Sequence, residues 1–186
     1  MFTFVNVSPI FLGTNEVTLL EMTSAYAGFL NLGVKVTARG WSKMKNKSDG
    51  AIVQNLFPSK ENVISEQTSR YLLYMLRESV KNGTGRAAQI NNWDVGGKTG
   101  TTQSARDAWF IGFTSDYVAG VWIGNDNNKS LKGVSGSTLP ARIWKEIMKN
   151  IHEEPPEPLP VKFPPMDDYV LSDPSTEVDQ GKNTFR

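Results

Sequence analysis

An α+β fold, an antiparallel sheet with flanking helices, is what this sequence predicts, and three observations carry it. β-leaning runs at residues 95–103, 107–114 and 117–124 follow one another with short polar separators, the pattern of a meander. Segments with apolar residues at helical spacing stand before and after them. The patterning stops at Glu153, where proline and acidic residues take over.

Taken in order, Asn15 can cap a helix reaching to about residue 31, with Leu19, Met22, Tyr26, Ala27 and Leu30 on one face and Gly33 after its end. Residues 34–57 read as a hairpin. Its expected strands are Val34-Lys-Val-Thr37 and residues 51–57, joined by a turn at Lys47-Ser-Asp-Gly50. Ser65 then caps a second helix to Lys81, with Leu72, Met75, Leu76 and Val80 as its buried stripe and Gly83 as its stop. A loop over residues 84–93 leads into the meander. Asn125-Asp-Asn-Asn128 turns away from it, and Thr138 and Pro140 open a last helix with a stripe of Ile143, Trp144, Ile147, Met148 and Ile151. This helix is expected to pack on one face of the meander. The expected organisation is one folded part over residues 1–152 and a disordered acidic tail over 153–186, which holds seven of the ten prolines between Pro155 and Pro174.

Composition narrows the chemistry. The 186 residues are 39% hydrophobic and carry a net charge of +1, which leaves no electrostatic footprint for nucleic acid. Residues 151–186 hold eight acidic and three basic side chains, so the body before them is modestly basic. With no cysteine, thiol catalysis and disulfides are excluded, and the single histidine, His152, reads as a solvated residue near a helix end. No cofactor and no metal site is expected. No apolar run approaches the ~20 residues of a membrane span, and Met1-Phe-Thr-Phe-Val-Asn-Val-Ser-Pro9 lacks the layout of a signal peptide.

Three apparent motifs fail on context. Gly97-Lys98-Thr99 ends like a phosphate-binding loop, but Asn92 stands where that loop needs glycine. Gly83-Thr-Gly85-Arg-Ala-Ala88 follows a helix rather than the strand a dinucleotide fingerprint requires. Ser42-Lys-Met-Lys45 matches Ser-x-x-Lys, but it lies in hairpin sequence, whereas a serine nucleophile with a lysine base needs both on one helix face.

The run Val95-Gly96-Gly97-Lys98-Thr99-Gly100-Thr101-Thr102 is different, because each residue type serves one task. Lys98 supplies a fixed cation for a carboxylate or for the proton traffic of a serine. Thr99 and Thr101 offer hydroxyl donors. Gly100 clears space where a ligand backbone approaches a strand. The Thr101 N–H can serve as half of an oxyanion hole, a contribution of about 3–4 kcal/mol per donor. Lys-Thr-Gly is one of three motifs of the serine acyl-transfer enzymes that react with penicillin.

Gly83-Thr-Gly-Arg-Ala-Ala88, the Lys-Thr-Gly run, Asp107-Ala-Trp-Phe-Ile-Gly-Phe113 and Val121-Trp-Ile-Gly-Asn-Asp126 occur in that order. Together they resemble the C-terminal half of the transpeptidase domain of class A penicillin-binding proteins. Gly13-Thr-Asn-Glu-Val-Thr-Leu-Leu-Glu-Met-Thr-Ser-Ala-Tyr-Ala27 resembles the helix preceding that half, and Arg39-Gly-Trp41 with the hairpin resembles the bifunctional members. The resemblance implies a serine β-lactamase/transpeptidase-like sheet between helices and a family that cross-links peptidoglycan. A serine attacks the D-Ala-D-Ala bond of a stem peptide, and β-lactams are captured in its place. It implies that Lys98, Thr99 and Gly100 form the third motif and, with Thr101, the substrate-binding residues. It implies too that Thr99 and Thr101 bind the substrate or β-lactam carboxylate, and that Lys98 and the Thr101 N–H belong to the catalytic machinery, the latter completing the oxyanion hole. It further implies a periplasmic setting at the inner membrane, with stem peptides and β-lactams as partners.

The family's Ser-x-x-Lys and Ser-x-Asn lie before the region resembling Gly13, and no Ser-x-Asn occurs in this chain. The expectation is therefore an incomplete domain, its N-terminal part missing, inactive alone. The alternative is a non-catalytic module that associates with peptidoglycan or with a complementary N-terminal half. A β-lactamase or β-lactam sensor shares Lys-Thr-Gly, but the Asp107 and Val121 strings favour the transpeptidase.

Overall fold

The structure is a computed structural model that describes residues 16–55 and 61–161. Asn15, the end of the expected second hairpin strand, the first nine residues and the tail beyond 161 lie outside the described residues.

The first helix, α1 (Leu19–Leu30), is capped by Thr18, not by the expected Asn15. Thr18 and Glu21 close a capping box: the Thr18 hydroxyl accepts from the Glu21 N–H, and the Glu21 carboxylate accepts from the Thr18 N–H. These bonds to the charged form hold the Glu21 carboxyl below the usual glutamate range. Gly33 does follow the helix, at φ +93°, where a Cβ would stand 2.2 Å from the Ile64 carbonyl oxygen.

The hairpin forms, but with a different first strand. β1 (Lys43–Lys45) pairs antiparallel with β2 (Ile52–Asn55), while Val34 makes only an isolated bridge to Asn62. Apolar content marked Val34-Lys-Val-Thr37 as the strand, yet an exposed ribbon selects for pairing rather than for burial, and β1 is exposed throughout. Ser42 enters this ribbon, away from any helix terminus.

The second helix, α2 (Glu66–Lys81), is capped by the Ser65 hydroxyl as expected. Its inward residues are Ser69, Leu73 and Val80. Of the expected stripe, Val80 is buried and Leu76 packs on the core, whereas Met75 is exposed and Leu73 takes the buried place expected of Leu72.

β3 (Gly96–Thr101), β4 (Asp107–Phe113) and β5 (Val118–Gly124) form an antiparallel meander in the order β3-β4-β5. Alternation along the strands sorts its two faces. Phe110, Gly112 and Val121 face α3 (Leu139–Ile151), whose Trp144 ring meets Phe110 edge-on at 5.4 Å. Phe113 and Val118 face the other way and pack with Leu73 of α2 and with Tyr26, Phe29 and Leu30 of α1. A Cβ at Gly96 would come within 3.2 Å of the α2 backbone at Arg77, and one at Gly120 would strike Thr23 and Leu19 of α1. Small residues thus set how closely the helices approach. The predicted α+β sandwich, a sheet between helices, is what the chain builds.

Only part of the α3 stripe points inward. Trp144 and Met148 are buried, together with Pro140 and Ala141, whereas Ile143, Ile147 and Ile151 remain exposed. Beyond α3 the chain stays on the body. Leu159 is buried beside Leu73 and Phe113, its N–H donates to Asp94, and Arg70 donates to the Pro160 carbonyl. Asp94 also pairs with Arg77. The proline-rich stretch expected to be disordered from Glu153 is therefore packed as far as residue 161.

His152 is not solvated. Its side chain is 4% exposed, set edge-on between the rings of Trp93 and Tyr117. Nδ1 donates to the Met148 carbonyl at 2.9 Å, and Nε2 lies 3.1 Å from the Thr114 hydroxyl and 3.6 Å from the Asp116 carboxylate. A lone histidine beside prolines gives no sequence signal of this burial.

Candidate functional site

Lys98, Thr99, Gly100 and Thr101 lie together on β3, an edge strand of the sheet among the described residues. The phase of the β3–β4 ladder decides what that edge presents. The Thr102 N–H donates to the Asp107 carbonyl at 3.1 Å, so Thr102 and Asp107 are a hydrogen-bonded pair. The register then makes Gly100–Trp109 and Lys98–Ile111 hydrogen-bonded pairs as well. Thr99 and Thr101, the alternate residues, turn their N–H and C=O groups away from β4, toward the open edge.

The side chains complete this edge from both faces. Lys98 points to the α1/α2 face but curls to the edge, where Nζ donates to the Thr99 carbonyl at 3.0 Å. It is exposed, and among the described residues no carboxylate forms an ion pair with it. Thr99 and Thr101 point to the α3 face. The Thr99 hydroxyl lies 2.9 Å from that of Thr84, in the Gly83–Ala88 motif, and the Thr101 hydroxyl accepts from the Gly136 N–H at 3.1 Å. The result is a strip bearing one ammonium, two hydroxyls and two outward N–H groups. It is suited to a carboxylate and to an extended backbone laid alongside the strand.

Two supports of this strip were not legible as such in the sequence. Asp107 accepts from the Thr102 hydroxyl and from Trp122 Nε1 at 2.9 Å, and its own N–H donates to the Thr102 hydroxyl. Both Asp107 and Trp122 belong to motif strings whose order was recognisable but whose contact was not. The 135–138 turn is the second support, and only its Thr138 was singled out, as a helix opener. Ser42 and Lys45 stay on the separate two-stranded ribbon and do not join the strip. Among the described residues no serine stands one turn ahead of a lysine on a helix, and no group of three His, Asp or Glu side chains could hold a metal ion.

The family model described as Penicillin binding protein transpeptidase domain matches residues 10–149. Penicillin-binding protein 1A of Aquifex aeolicus is 39% identical over 184 residues; the match covers 92% of this chain and 25% of that protein. The solved D,D-transpeptidase domain of a peptidoglycan glycosyltransferase from Eggerthella lenta is 27% identical with a TM-score of 0.59, over 72% of this chain and 31% of that one. Penicillin-binding protein 1A from Haemophilus influenzae, at 23% identity, shares the fold with a TM-score of 0.71 over 87% of this chain and 30% of its own. The chain thus spans about a quarter of the length of the curated relative it matches.

Proposed function

The chain belongs to the penicillin-binding protein transpeptidase domain family, and from that premise we propose that it forms the Lys-Thr-Gly side of a D-Ala-D-Ala acyl-transfer site, with the nucleophile supplied by a complementary segment. The observation that carries this reading is the phase of β3: Thr99 and Thr101 turn their backbone groups outward beside the Lys98 ammonium.

The chemistry follows from that edge. A substrate lying antiparallel to β3 pairs its backbone with the outward groups of Thr99 and Thr101. Its terminal carboxylate, or that of a β-lactam, is met by the hydroxyls and by the Lys98 charge. When a serine attacks the scissile carbonyl, negative charge grows on the carbonyl oxygen, and the Thr101 N–H is a fixed donor at the edge for it. In this reading the attacking serine comes from the complementary segment and the strip contributes binding and charge stabilisation. Such a site belongs on the periplasmic face of the inner membrane, where the stem peptides are; among the described residues no helix is long and apolar enough to cross a membrane.

Labelling with a fluorescent penicillin, against a heat-denatured control, tests the reading. No covalent label is expected on the purified chain. A label mapping to a serine, Ser42 above all, would overturn the proposed division between this strip and a separate nucleophile.

A further inference from the structure

The 135–138 turn meets β3 more closely than any chain but glycine allows. A Cβ on Gly136 would stand 2.4 Å from the Trp109 carbonyl oxygen, 2.6 Å from that of Gly100 and 2.8 Å from the Gly100 nitrogen. Gly136 therefore lies flat on the Gly100–Trp109 pair, and its N–H reaches the Thr101 hydroxyl. The turn is tied internally: the Ser135 N–H donates to the Thr138 hydroxyl at 2.9 Å, that hydroxyl donates to the Ser135 carbonyl at 2.8 Å, and the Thr138 N–H donates to the same carbonyl at 3.0 Å. It leads without a gap into α3, which is anchored by the buried Trp144. The loop before it is fixed as well, through the Leu131 N–H on the Ala105 carbonyl at 2.7 Å.

We propose that Gly136 is a positioning residue for the candidate site: its N–H engages the Thr101 hydroxyl oxygen and so directs the hydroxyl proton outward, toward a ligand carboxylate. A threonine hydroxyl has one proton and two lone pairs. With one lone pair engaged by Gly136 from the α3 side, the proton is kept off that side and is available to the strand edge. A hydroxyl held in its donating orientation need not reorganise when a carboxylate arrives or when charge builds in the transition state. This inference rests on the carboxylate reading of the strip proposed above, and it adds a residue that never touches the ligand.

The test uses the full chain in solution, with amide hydrogen exchange of Gly136 and titration with N-acetyl-D-alanyl-D-alanine followed by backbone NMR shifts. Protection of the Gly136 amide is expected in the wild type and in Thr101→Ser, and its loss in Thr101→Val, which keeps the shape but removes the acceptor. Gly136→Ala, which drives the turn off the Gly100–Trp109 pair, is expected to weaken dipeptide binding at least fivefold while the shifts of α1 and α2, on the opposite face of the sheet, stay in place. An unprotected Gly136 amide in the wild type overturns the proposal, as does wild-type binding by Gly136→Ala. Failure of the wild type to bind the dipeptide instead sinks the carboxylate reading, and the exchange data then decide the hydrogen bond separately.

Discussion

His152 illustrates how much a single side chain holds together at the residue scale. It joins the end of α3 to the β4–β5 turn through Met148 and Thr114, and Thr114 is itself fully buried and accepts from the N–H groups of Asp116 and Tyr117. Removing the ring leaves the buried Thr114 hydroxyl without its side-chain partner and opens a gap between Trp93 and Tyr117. His152→Ala is expected to destabilise the chain by about 1–3 kcal/mol, measured by urea unfolding, and an unchanged midpoint would show the network to be dispensable. None of this was legible, because burial of one polar ring is decided by what surrounds it in space. The Lys-Thr-Gly residues were legible, since their chemistry is in their types and their spacing. The partners of those residues, Thr84, Asp107 and Gly136, were not, being 15, 5 and 35 residues from the groups they touch.

Among the elements, the meander was the most readable because its polar separators leave no room for a crossover, and the observed strands fall inside the expected runs. The helices were readable as helices but not in their rotation. In α2 the unbroken string Tyr71-Leu72-Leu73-Tyr74-Met75-Leu76 presents apolar residues on every side. The face that packs is the one brought against β3 where Gly96 admits the α2 backbone at Arg77, with Leu73 and Val80 buried. In α3 the five-residue stripe is wider than the contact it makes. Trp144 is fully buried, whereas Ile147 is 38% exposed. Trp144→Ala is expected to cost about 3–5 kcal/mol, and Ile147→Ser no more than about 0.5 kcal/mol, both read from denaturant midpoints. A large loss for Ile147→Ser would mean that this ridge is covered in the chain as it stands in solution.

For the whole molecule, the sheet divides the work. α2 on one face and the 135–138 turn on the other fix β3 in place, while no strand among the described residues pairs with its outer edge, so the proposed site would be completed by whatever stands across that edge. In a protein that carries both this chain and a nucleophile-bearing segment, Lys98→Ala is expected to slow acylation by a β-lactam at least tenfold, about 1.4 kcal/mol of barrier. Acylation at the wild-type rate would remove Lys98 from the mechanism.

An open strand edge is also an invitation to other strands. The outward N–H and C=O groups of Thr99 and Thr101 that would receive a ligand backbone are what an identical chain would pair with. Lys98 opposes that outcome, because two such edges meeting would bring ammonium groups together at the seam. The charge proposed to recruit an anion would thus also act as a gatekeeper against self-association. A chain without it is more exposed to aggregation, so the kinetics of Lys98→Ala carry meaning only for material shown by sedimentation to be monomeric.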